Sequence, residues 1–207
     1  MNFPLLNILI RTSNRPNYFR RLMENIKSQH YKNYRLIISA DSVETTKYVA
    51  KYADKKTLIV PVQKLYHTPE QTFPWNLYLN DLMARVKEGW IMFMDDDDQY
   101  TNEFTFDRIA SHLPDKNSML VWQLRFPDGR YVPAPEYLGK TPFTRKQIAM
   151  PCFAFHSKWK NRVRFDGQRA GDFRIANKLQ EFLKVEWAYI DLVQLDNFGN
   201  VGKDVDL

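Results

Sequence analysis

An α/β fold, a central and mostly parallel sheet flanked by helices, is predicted by three observations. Short apolar runs alternate with amphipathic helical stretches along the chain. The length of 207 residues fits a single domain, and a content of 44% hydrophobic and 14% aromatic residues is ample for a sizeable core. No internal repeat or low-complexity tract interrupts the pattern, so the whole chain is expected to fold.

Residues 5–10 form an apolar run interrupted only by Asn7, short enough for a strand buried on both faces. After the polar turn Thr12-Ser13-Asn14-Arg15, Pro16 suits a first helical turn, and Phe19, Leu22, Met23 and Ile26 recur at helical spacing. Residues 34–39 read as a second strand, ending at Ala40-Asp41-Ser42, which can cap a helix over 43–52. A third strand covers 57–62. Beyond a proline-punctuated loop, Trp75, Tyr78, Leu79, Leu82, Met83 and Val86 describe an amphipathic helix that Gly89 stops. The run Trp90 to Met94 is a buried strand that delivers four consecutive aspartates at its C-terminal end. A short helix over 106–113 and a strand over 119–126 follow, and Asp128-Gly129 marks a hairpin turn. The last third holds a strand over 150–155, a helix opening at Gly171-Asp172 and a final strand over 185–192. Sheets of this kind bind ligands outside the carboxyl ends of their strands, so the loops after the first, second and fourth strands are the candidate site.

Net charge is +6, which suits an anionic partner such as a nucleotide, a nucleic acid or an acidic membrane face. The opening apolar run is too short for a signal peptide or a membrane span, which leads to the expectation of a cytoplasmic protein. A single cysteine, Cys152, excludes an intrachain disulfide and a multi-cysteine metal cluster; its apolar neighbours indicate a buried thiol.

Asp95, Asp96, Asp97 and Asp98 crowd four carboxylates together, and their repulsion is costly unless water or a cation neutralises them. Mg2+ or Mn2+ is the natural partner, since both take oxygen ligands and are commonly completed by substrate phosphates. The alternating ligands, central glycine and terminal glutamate of an EF-hand are missing. A solvated acidic loop is the alternative.

Four segments together resemble family 2 glycosyltransferases of the GT-A fold. They are Ile8 to Pro16 with the later Ser28 to Tyr34, Ile37 to Ser42, Asn80 with its helix and Trp90 to Asp98, and Phe165 to Arg174. The resemblance implies a single Rossmann-like GT-A domain over 1–207, with a nucleotide-sugar half over 1–98 and an acceptor-side half over 99–207. It implies a UDP-sugar donor, a glycan or other hydroxyl acceptor, and contacts to the nucleotide sugar from Thr12, Arg15, Asp41, Asn80, Asp95 and Asp96. Asp95 and Asp97 match the family's DxD pair, whose last aspartate binds the metal that bridges the two phosphates. Asp172 matches the catalytic base of an inverting reaction, with Gly171 standing where the family often has glutamate; as the opening residue of a helix it also suits an N-cap.

Arg11 and Arg15 stand where a guanidinium meets phosphate oxygens, or serve as ordinary strand-end cations. The group Arg162, Arg164, Arg169 and Arg174 either holds a diphosphate or an anionic acceptor, or forms a solvated basic face. Phe73 and Trp75 can stack on a sugar, with core packing the expected use of Trp75. No histidine has a spaced ligand partner, and His156 alone is a candidate site residue. Rival readings are a nucleotidyltransferase, disfavoured because the seven glycines form no triphosphate loop, and a nucleic-acid-binding module, disfavoured by the acidic run. A non-catalytic domain, or one completed by further domains or an oligomer, is the third.

Overall fold

The computed structural model describes residues 3–195 and 204. Strand β1 (Leu6–Thr12) is buried along almost its whole length and lies between β2 (Tyr34–Ala40) and β4 (Trp90–Asp95), parallel to both. Beyond β2, the short β3 (Thr57–Pro61) is a parallel edge strand. These four strands are the apolar runs expected to be strands, and their order reverses at β1. A crevice therefore opens at the carboxyl ends of β1, β2 and β4, the switch point where ligands bind in open α/β sheets.

Past β4 the sheet becomes mixed. Strand β8 (Phe153–His156) is antiparallel to both β4 and β6 (Ser118–Arg125), while β9 (Lys184–Leu195) runs parallel to β6 through irregular register. The hairpin expected at Asp128-Gly129 joins β6 to β7 (Tyr131–Val132), with the amide of Gly129 donating to Phe126. Strand β5 (Asp98–Tyr100) pairs antiparallel with β9 at the far end of the strand order, although only Asp96 and Asp97 separate it from β4. A two-residue link between strands so far apart in the order requires the sheet to curl. The acidic run sits at that turn.

Helix α1 (Pro16–Ser28) starts on Pro16, whose missing N–H costs nothing in a first turn, and buries Phe19, Leu22, Met23 and Ile26. Its first-turn amides at Asn17 and Tyr18, which have no carbonyl within the helix to meet, donate to the two oxygens of Asp204, at 3.0 and 3.1 Å. Helix α2 (Val43–Ala50) has Ser42 as its N-cap, the hydroxyl accepting from the Thr45 amide at 3.1 Å. The helix expected from Trp75 begins as a 3-10 turn over Pro74–Leu77 and continues as α3 (Tyr78–Arg85), which packs on β1 and β2. Gly89 lies beyond the end of α3 with φ +87°, and a Cβ there would meet the Leu5 carbonyl at 2.6 Å. That closeness lets the Trp90 amide donate to the same carbonyl at 2.8 Å. Asn7, the polar break in β1, completes the junction by donating to the carbonyls of Glu88 and Trp90. Helix α4 (Thr105–His112) and helix α5 (Gly171–Gln180) complete the α-helices among the described residues. No helix among the described residues is long and apolar enough to cross a membrane.

Candidate active site

Parallel register sets Arg11 of β1 beside Asp95, the last residue of β4. The guanidinium grips that carboxylate with two bonds, Nε to Oδ1 at 2.5 Å and Nη2 to Oδ2 at 3.0 Å. Arg15, at the N-terminus of α1, reaches the next two aspartates. Its Nη1 donates to Asp97 at 2.9 Å, while Nε and Nη2 both donate to Asp96. Bidentate pairing of this kind is the strong form of an arginine-carboxylate contact.

The four aspartates thus have different surroundings. The Asp96 side chain is 0% exposed, against 24% for Asp95 and 14% for Asp97. Thr12 Oγ1 donates to Asp96 at 2.6 Å and shares a 2.7 Å hydrogen bond with the Tyr48 hydroxyl. Burial, with the adjacent carboxylates, pushes Asp96 up to about 7 against the pull of Arg15. Burial raises Asp97 also, whereas Asp95, though burial pushes it up, is lowered overall by Arg11 together with Arg15. Asp96 is an internal anchor for the first loop, and Asp95 and Asp97 are the members of the run that face the space above that loop. Asp98, 1% exposed, begins β5 and borders a second, smaller space.

Two adjoining cavities result. The larger, about 470 Å³, is walled by the first loop, Asp41, Lys64, Leu65, Phe73, Trp75 and Tyr78, with Asp95 and Asp97 at its edge. Its size is that of an ordinary small-molecule site. Asp41 is held there by the Thr45 hydroxyl at 3.1 Å. The smaller, about 260 Å³, contains Asp172 and an apolar wall that includes Phe126, Met150, Pro151 and Leu195. Arg11, Phe73 and Asp95 line both.

Asp172 lies in the first turn of α5, where the Phe173 amide donates to it at 2.8 Å. Burial raises its carboxyl above the ordinary value, with Phe173 and Arg11 pulling the other way. Helix α5 is entered through Ala170 in the left-handed conformation, φ +63°.

Oxygen donors at the cavity edge are the right chemistry for Mg2+ or Mn2+. Asp95 and Asp97 fit such an ion in part. No group of three or more His, Cys, Asp or Glu set to hold a metal occurs among the described residues, so an ion there would need phosphate oxygens or water for most of its shell.

Thr12, Arg15, Asp41, Asp95 and Asp97 line the larger cavity and Asp172 lines the smaller, whereas Asp96, expected at the nucleotide sugar, is buried behind both. Asn80 lines neither cavity: its amide clamps the Phe165 backbone, donating to the carbonyl and accepting from the N–H, both at 2.9 Å. Of the basic group, Arg174 is bound to Asp166 and Arg162 lies over the Phe182 ring, whereas Arg169 lies over the ring of Phe73, which lines both cavities. His156 caps the 3-10 turn Ser157–Arg162, and Cys152 is a fully buried thiol raised by burial. Lys64 and Leu65 went unnoticed because they sit in a loop without pattern, and Tyr78 because its ring was counted as core. Asn76, discussed below, carried no sequence signal beyond its place before an amphipathic helix.

A sequence profile described as glycosyl transferase family 2 matches residues 7–177. No curated protein matches the chain at a significant level. Among solved structures, residues 1–349 of TarS from S. aureus superpose with a TM-score of 0.74 at 16% identity, over 92% of this chain and 60% of that one. The same TarS segment in complex with UDP-GlcNAc gives 0.73 at 15% identity, over 91% of this chain and 57% of that one. The mannosyltransferase PcManGT from Pyrobaculum calidifontis, in complex with GDP-Man and Mn2+, gives 0.71 at 13%, over 97% and 59%. The chain spans about 60% of the length of the solved structures it resembles.

Proposed function

The chain belongs to glycosyl transferase family 2, and from that membership we propose that it transfers a sugar from a UDP-sugar to a hydroxyl of a glycan or other acceptor. The observation that carries the reading is the pair of adjoining cavities with Arg11 and Asp95 on their shared wall and Asp172 in the smaller one. In this proposal the larger cavity, built by residues up to Asp97, takes the nucleoside diphosphate, with Asp41 on the nucleoside side. Arg11, Arg15 and Lys64 bring cationic groups to the wall of that cavity for the diphosphate, the two arginines being shared with Asp95, Asp96 and Asp97. Phe126, Met150 and Pro151, from the later half of the chain, form the wall for an acceptor.

Asp172 acts as base in the inverting form of the reaction. It takes the acceptor hydroxyl proton as that oxygen bonds to the anomeric carbon, and the bond from that carbon to the diphosphate oxygen breaks with its electron pair. A carboxyl raised by burial holds the proton better than an exposed one. Mg2+ or Mn2+ bound at Asp97 and Asp95 would neutralise charge on the diphosphate. UDP-GlcNAc in complex with TarS and GDP-Man with Mn2+ in complex with PcManGT support a nucleotide-sugar donor and a divalent cation here.

The test is release of UDP or GDP from UDP-sugars and GDP-mannose in the presence of manganese and an acceptor panel, followed by NMR of the linkage formed. An inverted anomeric centre supports the assignment of Asp172. Retained configuration removes it.

A further inference from the structure

One line of hydrogen bonds crosses the wall between the two cavities. Arg11, already forked onto Asp95, directs its Nη1 to Asn76 Oδ1 at 2.5 Å. Asn76 is 4% exposed, and its Nδ2 donates to the Gln168 carbonyl at 2.9 Å. Because the guanidinium can only donate, the asparagine oxygen must face Arg11 and its nitrogen must face Gln168, so the amide has a single orientation. Gln168 lies in the loop between Phe165 and α5, a few residues before Asp172.

A second observation points to the same asparagine. A Cβ on Gly171 would lie 2.8 Å from Asn76 Nδ2 and 3.3 Å from Phe165 Cδ1. Glycine stands next to Asp172 because Asn76 occupies the space of a side chain, which also explains why a glutamate is not found there.

We propose that Arg11 and Asn76 are positioning residues, linking the carboxylate of Asp95 in the donor cavity to the loop that sets Asp172. The proposal rests on the glycosyltransferase reading above. A donor that takes up an Asp95 oxygen changes the hold of that carboxylate on the guanidinium, and the guanidinium is one hydrogen bond from the asparagine that pins Gln168. Donor binding and placement of the base are then coupled through these two side chains.

Hydrogen exchange of the full chain, with and without UDP and manganese, tests this together with transfer kinetics. Asn76→Ala should speed exchange of the 168–173 amides about tenfold in the free protein, the effect of freeing one hydrogen bond. It should lower kcat about tenfold or more while the UDP Kd stays within about twofold. Asn76→Asp, which keeps an acceptor for Arg11 and removes the donor to Gln168, should loosen the same amides. Gly171→Ala should reproduce the kcat loss on its own. In the Asn76→Ala background it should add less than about twofold, because its Cβ enters vacated space.

Additive losses in that double variant, or a UDP Kd that weakens as much as kcat falls, overturn the relay. Normal wild-type UDP binding with unchanged loop exchange in Asn76→Ala refutes the relay alone. A wild-type protein that binds no nucleotide refutes the glycosyltransferase reading, and the coupling with it.

Discussion

Arg15 is the counter-ion of a carboxylate with no access to water, so Arg15→Met should destabilise the protein in a pH-dependent way. In the wild type the Asp96 side chain is 0% exposed and receives two N–H groups from Arg15 and the Thr12 hydroxyl. Removing the guanidinium leaves Thr12 as the remaining one of these donors and takes a partner from Asp97 as well. Breaking a buried pair on one side costs about 3–5 kcal/mol. Asp96 can reduce that cost by taking up a proton. Burial already pushes it up to about 7 with Arg15 in place, and without Arg15 it must rise further.

The sign follows from proton uptake. A carboxyl whose folded value lies above its unfolded 3.8 costs stability as pH rises, and the cost stops growing once pH passes the folded value. In the wild type that growth ends near 7, and in Arg15→Met it continues higher. The deficit should therefore be about 1 kcal/mol near pH 5, where Asp96 is protonated in both proteins and hydrogen bonds alone are lost. It should reach the full 3–5 kcal/mol at about pH 8.5, or about 6–20 °C in Tm for a domain of this size. Urea unfolding at the two pH values measures both, and Arg15→Met/Asp96→Asn should recover most of the loss at the higher one. Equal deficits at the two pH values, or none at the higher, refute the assignment of Asp96 as a buried, raised carboxyl.

The remaining predictions concern the base and the β1–β4 junction. Asp172→Asn should keep nucleotide affinity and lose about 10²–10⁴-fold in transfer rate, as removal of a general base does; a wild-type rate assigns the role to another group. Because burial raises Asp172 and only its ionised form accepts a proton, wild-type transfer should fall as pH drops, with a midpoint above 3.8; a midpoint at or below 3.8 contradicts the assignment. Gly89→Ala should cost about 1–3 kcal/mol in urea unfolding, since the position combines φ +87° with a Cβ 2.6 Å from the Leu5 carbonyl. Asn7→Leu should cost about 1–3 kcal/mol by depriving the Glu88 and Trp90 carbonyls of the Asn7 donor, and an unchanged urea midpoint would show that donor to be dispensable.

The parallel strands β1, β2 and β4 were legible because a strand buried on both faces needs an apolar run, and each has one that ends in turn residues, while the half-exposed edge strand β3 showed through its β-branched run Ile59-Val60. Strand β5 was not. Its three residues include Asp98 and Gln99, and what makes it a strand is pairing with β9, nearly a hundred positions along the chain. In the mixed half, β6, β8 and β9 were legible as runs but their antiparallel pairings were not, since strand direction is set by the curl and leaves no mark in local composition. In the site, the acidic run was visible as a crowd of like charges, but the division of labour within it was not. Asp96 turns inward and Asp97 outward because β4 ends at Asp95 and the chain reverses before Asp98, geometry that composition cannot carry. Arg11 was noticed as a cation near the first loop, and only the β1–β4 register reveals Asp95 as its partner. Asn80 stood out by its distance from the acidic strand, yet its side chain is committed to the Phe165 backbone.

Calorimetric titration with UDP, GDP, CDP and ADP, each with manganese and with EDTA, on the wild type and on Asp97→Asn shows whether the crevice holds a nucleoside diphosphate through a metal. UDP should bind the wild type in a metal-dependent manner, and Asp97→Asn should weaken this binding while the fold is retained. Absence of binding by all four diphosphates contradicts a nucleotide-sugar site in this crevice, and unchanged manganese-dependent affinity in Asp97→Asn removes that residue from the metal.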